Sequence, residues 1–65
     1  MTHAKRCRLM AGLRQSDVAA RAGVSRQTVN MLESGRQRPQ LATAIAIARA
    51  LGEDDLRVIW PEMGR

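Results

Sequence analysis

The chain has 65 residues, one cysteine and a net charge of +5, from 11 Lys/Arg against 6 Asp/Glu. That length allows one small domain, residues 1–65, near the lower limit of what folds without covalent staples. Lone Cys7 excludes an intrachain disulfide and a cysteine-based metal site. The longest mostly apolar stretch, residues 41–51, is too short to span a bilayer and carries Arg49, so a soluble, cytoplasmic protein is expected.

In chain order, the first predicted helix runs from about Ala4 to Ala11, with Leu9 and Leu13 as core candidates and Gly12 as its stop. The second covers Gln15 to Ala22, where Val18, Ala19 and Ala22 share a face at three- and four-residue spacing. Gly23 then supplies a left-handed turn. A third helix starts after Ser25, whose hydroxyl suits the free N–H groups of a first turn, with Val24 and Val29 in the positions of a hydrophobic staple. It ends near Ser34, before Gly35. Pro39 and Gln40 open a fourth helix, whose stripe is Leu41, Ala44, Ile45, Ala48 and Leu51 and whose terminator is Gly52. A short fifth helix, about Asp54 to Trp60, offers Leu56, Ile59 and Trp60 to the core, and Asp54 and Asp55 suit its positive N-terminal end. Residues 61–65 remain as a tail. No alternating strand pattern occurs, so the expected fold is all-α, five short helices around a core of Leu, Ile, Val and Ala.

The charge is uneven. Residues 1–49 hold nine Lys/Arg against Asp17 and Glu33, a balance of +7, whereas residues 50–65 hold Arg57 and Arg65 against four acids, a balance of −2. This asymmetry points to a polyanionic partner for the first three-quarters of the chain. On a helical wheel of about 100° per residue, Val29 and Leu32 fall on one side of the third helix, and Arg26, Gln27, Asn30 and Met31 on the other. Arg matches the major-groove edge of guanine, and Gln or Asn that of adenine. A face meant only for solvent more often carries Lys and Glu, and no acid stands at the centre of this one.

Two helices joined by a short glycine turn, the second with such a face, make a helix-turn-helix over about residues 15–34. The segment "LRQSDVAARAGVSRQTVNMLESGRQRP", residues 13–39, resembles the phage repressor and Cro-like Xre family of transcription regulators. The matching features are Gln15, Val18-Ala19, Gly23-Val24-Ser25, Arg26-Gln27-Thr28-Val29 and Leu32-Glu33 before Ser34-Gly35. The similarity continues through Pro39, the 41–52 helix and Leu56.

The resemblance implies a lambda-repressor-like fold and a DNA-binding regulator, such as a repressor, acting as a homodimer on a palindromic operator of double-stranded DNA. It implies base contacts from Arg26, Gln27, Asn30 and Met31, and phosphate contacts from Gln15, Thr28, Ser34, Arg36 and Arg38. It also implies an ion pair between Arg8 and Glu33. Two positions depart from the family pattern. Arg14 stands where Thr or Ser usually caps the second helix, and Gln40 stands where Ser often precedes the fourth; a lost cap costs on the order of 1 kcal/mol. Arg14 would then offer a further phosphate contact. Met31 either touches a thymine methyl or is merely tolerated.

Ile59, Trp60 and Met63 form the candidate dimer surface, the alternative being that Trp60 folds onto its own core. No catalytic set is apparent: His3 lies near the terminus, Cys7 has no partner histidine at a recognisable spacing, and no cofactor or metal motif is present. No small-molecule ligand is implied. The competing function is an antitoxin or other protein-binding module on the same fold.

Overall fold

The structure, a computed structural model, describes residues 2–64. In chain order it has α1 (His3–Met10), α2 (Gln15–Ala22), α3 (Arg26–Glu33), α4 (Leu41–Ala50) and α5 (Leu56–Ile59), followed by a 3-10 turn at Pro61–Gly64. No strand occurs among the described residues. α2 is the centre of the arrangement, packing against both α3 and α4, while α1 lies across α3 and α5.

The helix ends follow from local chemistry. The Ser25 hydroxyl accepts from the Thr28 amide at 3.0 Å, which starts α3 where the sequence predicts. Gly23, at φ 72°, allows the Val24 N–H to reach back to the Ala19 carbonyl at 3.1 Å, so α2 closes in a single left-handed residue. Gly35, at φ 78°, ends α3 in the same way through an Arg36 N–H to Met31 carbonyl bond of 3.1 Å. A side chain at either glycine would be strained whatever the space around it.

The core comprises Ala4, Val18, Ala19, Val29, Leu32, Ala44, Ile47, Ala48, Ala50, Ile59 and Trp60. Leu13, Ala22, Val24, Leu51, Leu56, Cys7 and Met63 pack around it. Several expectations need correction. Leu9 is about half exposed; the face that α1 buries carries Ala4 and Arg8 instead. The stripe on α4 is rotated: Ile47 and Ala50 are buried, Ile45 is half-buried and Leu41 is exposed. That helix is apolar almost all round, so periodicity offers no unique face, and contact with α2 and α5 makes the selection.

The fifth helix is shorter than expected, with Asp55 as its N-cap; the Asp55 carboxylate accepts from the Arg57 amide at 3.0 Å. Residues 61–64, expected as tail, form the 3-10 turn, and Arg65 lies outside the described residues. The candidate dimer surface is also corrected. Ile59 and Trp60 are buried in the monomer, and the indole N–H donates to the Ala44 carbonyl at 3.1 Å; Met63 packs on the same core. A buried indole needs such an acceptor, and the carbonyl of α4 supplies it.

Candidate nucleic-acid interface

α3 is held from beneath and left open above. Val29 and Leu32 bury its inner side, while Arg26, Gln27 and Asn30 are exposed and Met31 and Thr28 are half-exposed. Beyond the apolar anchors, its C-terminal end is fixed by ionic and polar contacts. The Arg8 guanidinium meets Glu33 through two bonds, Nε to Oε2 at 2.7 Å and NH2 to Oε1 at 3.0 Å. Both side chains are more than nine-tenths buried. The third nitrogen of Arg8 donates to the Leu13 carbonyl at 2.8 Å, so one side chain ties α1, the α1–α2 turn and α3 together. A planar guanidinium is suited to this because its donors form a rigid fork.

The sequence alone leaves that pair indistinguishable from an exposed one worth about 0–1 kcal/mol. Burial changes its meaning: removing either partner strands a buried charge, which costs about 3–5 kcal/mol. Thr2 adds a contact that sequence reasoning did not find. Its hydroxyl accepts from the Lys5 amide at 3.3 Å, capping α1, and donates to the Glu33 carbonyl at 2.6 Å. A threonine three residues ahead of Lys5 is the ordinary capping signal and would have moved the start of α1 back to His3.

The start of α2 lies beside α3. Gln15, Ser16, Arg14, Arg8 and Arg26 line one open recess of about 440 Å³. The Gln15 side-chain nitrogen donates to Asn30 Oδ1 and to Glu33 Oε1, each at 3.2 Å. The Gln15 and Ser16 backbone N–H groups have no acceptor among the described residues, as first-turn amides normally do not. Arg14, the N-cap, has no acceptor atom to offer the helix. The reciprocal half of a capping box is present instead, with Asp17 Oδ2 accepting from the Arg14 amide at 2.8 Å. The guanidinium returns to Asp17 at 3.2 and 3.3 Å. Hydrogen bonds from the Arg14 side chain, then from its amide, hold the Asp17 carboxyl below its ordinary range, and the same contact raises Arg14.

The remaining candidates surround this centre. The Thr28 hydroxyl lies 2.9 Å from that of Ser25, and the Ser34 hydroxyl donates back to the Met31 carbonyl at 3.1 Å. Arg36 and Arg38 are exposed in the loop after α3, with no side-chain partner among the described residues. Gln40 begins α4 through its backbone alone, its carbonyl accepting from the Ala44 amide at 2.8 Å. No group of three or more His, Cys, Asp or Glu able to hold a metal, and no helix long and apolar enough to cross a membrane, occurs among the described residues.

Two short helices joined at Gly23, the second exposing a row of polar side chains above a pinned inner face, define a helix-turn-helix protein. A helix-turn-helix family model matches residues 5–55. The chain is 49% identical over 49 residues to an uncharacterized HTH-type transcriptional regulator of Methanothermobacter thermautotrophicus, covering 75% of this chain and 71% of that protein. It is 39% identical over 56 residues to another such regulator from Sinorhizobium fredii, covering 86% and 73%. A third, from Methanocaldococcus jannaschii, is 42% identical over 45 residues, covering 69% and 68%. No solved structure gives a significant match. The chain belongs to the Xre/Cro-like helix-turn-helix family of transcriptional regulators.

Proposed function

We propose that the chain is a sequence-specific DNA-binding regulator that inserts α3 into the major groove. The observation that carries this reading is the division of α3 itself: Val29, Leu32 and Glu33 are buried, while Arg26, Gln27 and Asn30 project together from a cationic surround. Arg26 and Gln27, at the N-terminal end, are the base readers, joined by Asn30 and, at the edge, Met31, whose thioether suits an apolar contact with a thymine methyl. The backbone amides of Gln15 and Ser16 meet a phosphate at the positive end of α2. Thr28, Ser34, Arg14, Arg36 and Arg38 contact the phosphates on either side.

Binding occurs as a homodimer on a palindromic operator in the cytoplasm, its half-sites about one helical turn apart, and occupation of the operator represses transcription. Because Ile59 and Trp60 are spent on the core, such a dimer draws on exposed apolar residues of the C-terminal half, Val58 and Leu41. The role is binding rather than catalysis, and no ligand or cofactor is assigned.

Selection of bound duplexes from random DNA tests the reading. The expected result is a two-fold symmetric consensus. Arg26→Ala or Gln27→Ala should then cost about 1–3 kcal/mol on that consensus and relax it at one base pair. Arg36→Ala or Arg38→Ala should weaken all sequences alike and flatten the log–log salt slope by about 0.9 each. Uniform weakening of every sequence by Arg26→Ala would remove base reading from α3.

A further inference from the structure

The hydrogen bonds around Asn30 fix the orientation of an amide that could otherwise face either way. Both oxygens of Glu33 accept from Arg8, at 2.7 and 3.0 Å, and Oε1 accepts again from Gln15 at 3.2 Å. A carboxylate engaged in this way can only accept, so the Gln15 amide must turn its NH2 group toward it. The second hydrogen of that NH2 goes to Asn30 at 3.2 Å, and only the Asn30 carbonyl oxygen can receive it. The Asn30 oxygen is thereby drawn toward α2, and its NH2 group has no partner among the described residues. Both Gln15 donors are spent inward as well, so its side chain offers its carbonyl oxygen outward, and a phosphate would find a donor only in its backbone N–H.

We infer that the buried Arg8–Glu33 pair acts through Gln15 to present Asn30 to DNA as a hydrogen-bond donor. Asn30 then selects a base edge that offers acceptors without a competing donor, guanine through O6 and N7 or thymine through O4; adenine accepts at N7 too, but its neighbouring N6 donor needs an acceptor in return. The paired acceptor-and-donor reading of adenine is disfavoured, because the Asn30 oxygen it needs, although it keeps a second lone pair, is turned toward α2. Gln15 is a positioning residue for specificity, one helix away from the bases. This inference rests on the reading of α3 as the base-contacting helix and names the base class that one of its residues selects.

The test compares duplexes selected from random DNA by the full wild-type chain and by Asn30→Ala, Asn30→Asp and Gln15→Leu, each first shown to melt cooperatively. Asn30→Ala should relax one position of the consensus, and the wild type should carry guanine or thymine there. Asn30→Asp keeps the acceptor that Gln15 needs but has no donor; it should move that position to cytosine, whose N4 donates. Gln15→Leu frees the Asn30 amide and should lower the preference over adenine by about two- to tenfold, the range of one net hydrogen bond, leaving other positions unchanged. In the free protein, Asn30→Ala should shift the Gln15 side-chain amide signals in 15N–1H spectra.

A wild-type adenine at the Asn30 position would overturn the relay while leaving DNA reading intact, as would an unchanged preference in Gln15→Leu or no relaxation in Asn30→Ala. Unmoved Gln15 amide signals overturn the relay without any DNA. Absence of a consensus for the wild type removes base reading altogether, and the relay with it.

Discussion

Two arginine–carboxylate clasps with the same Nε-and-NH2 pairing, at 2.7 and 3.0 Å in one and 3.2 and 3.3 Å in the other, differ sharply in burial. Arg8 and Glu33 retain 9% and 6% of their side-chain exposure, whereas Arg14 and Asp17 retain 83% and 30%. The first joins residues 25 positions apart and holds α3 against α1; the second joins neighbours within a single turn. A shared bonding pattern therefore does not make two ion pairs equal. A buried pair fixes where a helix sits, because separating it strands a charge away from water. An exposed pair fixes little, because water and salt replace each partner. It does keep a cation at the surface.

Breaking the buried clasp should have the largest effect. Glu33→Ala should destabilise by about 3–5 kcal/mol, a large part of the stability of any small domain, and thermal melting should lose its cooperative transition or shift far down. Replacing both partners together, Arg8→Met with Glu33→Leu, should recover most of that loss, since apolar groups of similar volume leave no stranded charge. A double variant no more stable than Glu33→Ala would mean that losing the Arg8 bond to Leu13 costs as much as the stranded charge.

The exposed clasp sharpens the comparison from the other side. Asp17→Asn should lower the melting temperature only slightly, and the difference should vanish in molar salt. Arg14→Ala should leave melting almost unmoved while reducing the salt slope of DNA binding by about 0.9, read by titrating a labelled duplex at several ionic strengths. The smallest effect is in pH. Asp17, beside Arg14, and Asp55, beside Arg57, both have carboxyls held below the ordinary range. A lowered folded-state pKa contributes stability that is present above the unfolded value of about 3.9 and lost as pH falls through the folded one. From these two groups, melting temperature should be flat from neutral pH to about 5 and decline below about 4.

α3 was the most legible part of the chain. Ser25, Gly23 and Gly35 have local jobs, a cap and two left-handed residues, and local jobs are written in residue type. Val29 and Leu32 were identifiable as the anchor because every other apolar residue of α3 is absent or, like Met31, off that side. In α4 the same reasoning chose Leu41 and Ile45 where the fold chose Ile47 and Ala50, because a helix apolar on several sides leaves its orientation to its neighbours. In α1 it chose Leu9, and missed that a buried arginine directs the inner face. The polarity of Asn30 was out of reach for a different reason, since it depends on side chains from three helices meeting at one carboxylate.

The sequence by itself determined the first four helices, their glycine stops, the cationic bias of the first three-quarters and the polar row Arg26, Gln27, Asn30. These follow from spacing, propensity and charge within a few residues. Only the tertiary structure decided that Glu33 is buried rather than solvated, that Trp60 closes its own core against the Ala44 carbonyl, and that Gln15 faces α3. Each of those depends on which surfaces lose their water when helices meet, and burial is a property of the packed chain rather than of any segment in it.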